Sequence, residues 1–115
     1  MKNEEFNTVV SDQIQRSTDT LVKKAKEYAT EDRLHNFKVA AGIQHCTPIQ
    51  ALAGMMAKHT VSVYDMCESG EEYDDAVWNV KITDSINYLL LLRALVEDTK
   101  LSKKEGKANN CPKSK

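Results

Sequence analysis

The chain is poor in the residues that interrupt a helix. Four glycines and two prolines in 115 residues leave little turn chemistry, and no stretch alternates apolar and polar residues between hairpin signals. That excludes a sandwich or barrel of short strands, and the fold class reads as all-α. No apolar run approaches the roughly 20 residues that span a bilayer, and the N-terminus lacks the apolar centre of an export signal. Cys46, Cys67 and Cys111 form no C-x-x-C pair. An odd count without an export signal points to reduced thiols in a cytosol, and their separations from His45 and His59 match no zinc pattern. Charge of one sign is missing too. Sixteen basic and seventeen acidic side chains give a net charge of −1, so no global field recruits nucleic acid or a membrane surface. The chain also has no P-loop, dinucleotide fingerprint or nucleophile motif.

What is present is helical periodicity. In a first helix, about Glu4 to Tyr28, Phe6, Val9, Val10, Ile14, Thr18, Leu21, Val22 and Ala25 recur at helical spacing. After a break at Ala29-Thr30, with Thr30 as N-cap, a second helix from about Glu31 to Gln44 would bury Leu34, Phe37, Val39, Ala40 and Ile43. Thr47-Pro48 is the clearest start signal, a Thr N-cap with Pro at the first helical position. The third helix runs to about Cys67 with a core stripe of Leu52, Met55, Met56, His59, Val63 and Met66. A polar turn containing Gly70 leads to a fourth helix from about Tyr73–Ala76 to Asp98. Its apolar residues fall on two faces: Trp78, Ile82, Ile86, Leu89 and Val96 on one, and Val77, Asp84, Tyr88, Leu91 and Leu95 on the other.

This pattern predicts a compact four-helix bundle in one domain, residues 1–99, followed by a basic tail, residues 100–115, that stays disordered. Leucine at every position from 89 to 92 exceeds what one helix face needs. That surplus predicts a homo-oligomer.

Polar groups among apolar neighbours are where chemistry is expected. Asp84 shares its face with Val77, Tyr88, Leu91 and Leu95. It is expected to be mostly buried and therefore to meet a cation, a metal or several donors. A structural ion pair, or a network with Tyr88 or Lys81, would serve equally. Lys58 and His59 interrupt the apolar run before them. They read either as an exposed cation beside a core-edge imidazole or as ligands for phosphate. Glu27 and Asn36 read as surface groups or as further ligands. The ligand-binding set under the functional reading is Glu27, Asn36, Lys58, His59, Asp84 and Tyr88.

In order and spacing, Lys26-Glu27-Tyr28-Ala29, Asn36-Phe37, Thr47-Pro48, Met55-Met56-Ala57-Lys58 and Asp84-Ser85-Ile86-Asn87-Tyr88 resemble a family of small phage proteins. The family pattern has Gly where Ala29 stands. More distantly, the layout is similar to the all-α nucleoside triphosphate pyrophosphohydrolases, the MazG and dimeric dUTPase group. Those enzymes hold magnesium with E-x-x-E and E-x-x-D pairs. Asp84 sits where the last acid of such a pair would lie, but position 81 is Lys, and the literal pair Glu68 and Glu71 straddles Gly70. The phage resemblance implies an accessory protein in the cytoplasm of an infected bacterium. It would bind a host defence protein or a nucleotide rather than turn it over. The pyrophosphohydrolase resemblance implies the alternative, magnesium-dependent hydrolysis.

Overall fold

The computed structural model describes residues 1–27 and 32–104. Four helices make up the described chain: α1, Asn3–Glu27; α2, His35–Gln44; α3, Pro48–Ser69; and α4, Asp75–Lys104. The expected Thr30 N-cap and the tail from residue 105 lie outside the described residues. Residues 100–104, expected in the tail, continue α4 as helix.

α2 starts later than the periodicity suggests, at His35 rather than near Glu31. Asp32 is the reason. Its Oδ1 accepts from the Leu34 backbone N–H at 3.0 Å, and its carbonyl accepts from His35 N at 3.1 Å. A local turn thus takes the donors that a further helical turn would use. Lys38 donates to the same carboxylate at 2.8 Å and lies 3.4 Å from Asp98, tying α2 to the end of α4. This pair holds the Asp32 carboxyl below its ordinary value of 3.8, with the Leu34 N–H helping, and raises Lys38 above 10.5. α2 ends at His45, which adopts a left-handed conformation (φ 54°) while Cys46 N donates to Ala41 O at 3.0 Å.

α3 begins as its sequence predicts. Thr47 Oγ1 accepts from Gln50 N at 3.1 Å and Gln50 Oε1 accepts from Thr47 N at 2.9 Å, a reciprocal cap ahead of Pro48. It ends at Gly70 with φ 69°, where a Cβ would be strained. Tyr73 packs edge-on against Trp78, with ring centroids 5.7 Å apart. The Tyr73 hydroxyl lies 3.1 Å from Ser69 Oγ, which closes the turn into α4.

The core lies among α2, α3 and α4. Leu34, Phe37, Leu52 and Leu95 form its centre, with Met55, Met56, Tyr88, Leu91 and Leu92 packed against it. The α3 stripe is as predicted. Two α2 expectations are corrected: Val39 is 44% exposed and Ile43 74%, because α2 is short and packs mainly on α3.

α1 is organised differently. It packs on α4 and runs parallel to it, since Gln13 meets Thr83 and Asn87 meets Ser17, each pair seventy residues apart. Its buried residue is Ser17. Phe6, Val9, Val10 and Ile14, which share its apolar period, are 40% to 61% exposed.

Candidate functional site

A cleft of about 300 Å³ opens where all four segments converge. α1 contributes Leu21 and Lys24. The turn into α2 contributes Arg33, and α2 itself Asn36 and Phe37. α3 contributes Met55 and His59, and α4 contributes Asp84, Asn87, Tyr88 and Leu91. That volume lies at the lower end of the range of roughly 300–1,000 Å³ for small-molecule sites, and its mixture of apolar walls and a few polar groups is their usual composition.

Four predicted residues meet here: Asn36, His59, Asp84 and Tyr88. Helical geometry explains their convergence. Asp84, Tyr88 and Leu91 recur at 4 and 3 residues on the face of α4 that looks toward α2 and α3. His59 is a turn beyond Met55 on α3. The His59 and Tyr88 rings lie 4.9 Å apart, tilted by 48°, and form one aromatic wall. Two predicted residues do not join the lining. Lys58 is exposed, because one residue's step turns it about 100° from His59. Glu27, the last residue of α1, is exposed as well.

Asp84 is half-buried rather than mostly buried. Among the described residues it has no ion pair or side-chain hydrogen bond, so the expected structural cation is not one of them. It faces the cleft on one side. On the other it borders a shallower groove of about 350 Å³ between α1 and α4, with Arg16, Asp19 and Thr83.

Three lining residues escape the sequence reading: Lys24, Arg33 and Asn87. Arg33 Nη2 donates to the Leu21 carbonyl at 3.1 Å, which fixes the guanidinium across the gap between α1 and α2. Asn87 is 6% exposed, and its Nδ2 donates to the Ser17 carbonyl at 3.3 Å. That acceptor sets the amide orientation, since a carbonyl facing a carbonyl would repel. Oδ1 is then left as a buried acceptor with no donor among the described residues. His59 Nδ1 is buried and unpaired in the same way. Leaving such a group unsatisfied costs about 1–3 kcal/mol, and both residues line the cleft. The spacing Asp84–Asn87, one turn apart, was the available signal for Asn87.

The donor set does not suit the magnesium site that the pyrophosphohydrolase resemblance implies. Among the described residues lining the cleft, Asp84 is the one carboxylate, and it shares the lining with the cations Lys24 and Arg33. Elsewhere among the described residues no three His, Cys, Asp or Glu side chains gather as a metal cluster. Magnesium held chiefly by protein carboxylates needs more acid than this, and two cations oppose it.

No protein-family model matches the chain, and searches of curated proteins and of solved structures find no match to it either.

Proposed function

We propose that this protein is a nucleotide-binding accessory protein of the phage type. It retains its ligand in the four-helix cleft rather than hydrolysing it, and it acts in the cytoplasm of an infected bacterium. One observation carries the reading: Asn87, whose buried Oδ1 has no donor among the described residues, lines the same small cleft as Asp84 and the cations Lys24 and Arg33. Two acceptors suit the amino-bearing edge of a base, the His59–Tyr88 wall suits its flat face, and the cations suit a phosphate. A concave hollow of this size fits a small molecule better than the surface of a host defence protein. Among the described residues no helix is long and apolar enough to cross a membrane. The same reading takes the working molecule to be a homo-oligomer, from the apolar surface that α1 and α4 leave uncovered.

Calorimetric titration with AMP, CMP, GMP and UMP, with and without magnesium, tests the reading. An amino-bearing nucleotide should bind more tightly than UMP. Asp84→Asn keeps the side-chain shape and removes its charge, so affinity should fall about tenfold or more. Absence of binding to all four nucleotides at millimolar concentration would reject the nucleotide. Magnesium-dependent turnover of nucleoside triphosphates at about 1 per second or faster, lost in Asp84→Asn, would instead establish the hydrolase alternative.

A further inference from the structure

The side of α4 opposite the cleft carries a second organised surface. Ile82 and Ile86 lie about a half-turn around the helix from Asp84. With Trp78, Leu89 and Val96 they make an apolar stripe that spans about 27 Å along the axis. Leu89 is 56% exposed, and Ile82 38%. Neither belongs to the core cluster that α2, α3 and α4 share.

The ends of this stripe carry opposite charge. At its start stands Asp75, exposed, with Glu71, Glu72 and Asp74 just before it. Toward its end stand Arg93 and Lys100, also exposed, with Lys103 and Lys104 beyond. Arg93 and Lys100 share Glu97 at 3.4 and 3.3 Å, while the neighbouring Asp98 faces Lys38 of α2. An apolar centre between an acidic and a basic end is self-complementary in one orientation. Laid antiparallel, the acidic end of one copy meets the basic end of the other. Laid parallel, like charges coincide.

We infer that α4 pairs with the α4 of a second copy of this chain, antiparallel across a two-fold axis at the level of residue 84. That register sets Ile82 of each copy against Ile86 of the other, Trp78 against Leu90, and Arg93 against Asp75. The interface is isologous, so each contact occurs twice. It leaves the cleft open, because Asp84 and Tyr88 face away from it. The inference stands whether or not the cleft binds a nucleotide.

Sedimentation equilibrium of the full chain at micromolar concentration provides the test. The expected result is a mass about twice the 13.0 kDa of one chain. Ile86→Glu should yield monomer, with circular dichroism reporting whether the helices persist. The exposed charges give a second arm that leaves the fold alone. Arg93→Glu and Asp75→Lys should each weaken the dimer about tenfold or more, and the double variant should recover most of the wild-type affinity. A wild-type monomer at hundreds of micromolar overturns the inference. So does a dimer that persists unchanged in Ile86→Glu and in both charge variants, since the exposed face of α1 would then be the contact. Failure of the double variant to recover overturns the antiparallel register.

Discussion

α1 and α3 are of similar length, and both carry a strong apolar period, yet they are held by different forces. α3 presses Leu52, fully buried, and Met66 into a core shared with α2 and α4. α1 meets α4 through polar groups: Gln13 Nε2 donates to Thr83 Oγ1 at 3.0 Å and to Ser17 Oγ at 3.2 Å, and Asn87 donates to the Ser17 carbonyl. Phe6, Val9, Val10, Ile14 and Val22 stay exposed. Apolar burial supplies free energy in proportion to area, whereas a hydrogen-bonded seam nets about 1 kcal/mol per bond and chiefly fixes register. α3 is therefore the foundation and α1 a docked arm. The cleft lies between them, where a small movement of the arm changes the volume available to a ligand.

The largest contrast is expected from a side-chain truncation in each helix. Leu52→Ala or Leu95→Ala should cost about 2–5 kcal/mol, read as a lower midpoint in urea. Val9→Ala in the monomer should stay within about 0.5 kcal/mol. Equal losses at Leu52 and Val9 would mean that α1 is as deeply packed as α3.

Asn87→Ala comes next. It removes the donor to Ser17 and should cost about 1–2 kcal/mol. The loss should be localised: amide exchange in α1 should accelerate while α3 keeps its protection. Uniform acceleration would show one cooperative unit. Thr47→Ala breaks the reciprocal cap of α3 and should cost about 1 kcal/mol, with α1 exchange unchanged.

The smallest effect is the pH dependence of the clamp that links α2 to α4. The Asp32 carboxyl is depressed, so its contribution is complete above about pH 4 and fades as pH falls through the lowered value. Lys38 is raised, so its contribution is complete below about pH 10 and fades as pH rises through the raised value. Both side chains are about two-fifths exposed, so each loss should stay below about 1 kcal/mol. Asp32→Asn should flatten the acid-side loss, and an unchanged acid limb would assign it to other carboxylates.

How much was legible follows the same division. The Thr47-Pro48 start, the α3 stripe, and the company of Asp84 with Tyr88 were readable because capping and helical period are local properties. The exposure of Phe6, Val9 and Ile14 was not. A period shows which residues share a face, but not whether the fold supplies something to cover it. Val39 and Ile43 mislead for the same reason. Lys58 stands beside His59 in sequence, but a helix separates neighbours in sequence by more than a quarter-turn. The importance of Arg33 and Asn87 comes from α1, across a break of 12 residues for Arg33 and of seventy for Asn87, so no local pattern reveals it.

That distance has a consequence for how the molecule is made. Each polar latch between α1 and α4 closes a loop of seventy residues. Closing a loop of that size is entropically costly, and contacts so separated in sequence form late. α1 is synthesised first and has no docking surface until α4 has left the ribosome. Until then Gln13 and Ser17 lack their α4 partners, and α1 travels as an undocked nascent helix. A pause introduced just before α4 should lengthen that interval, and chaperone capture or aggregation of the nascent chain should rise with it.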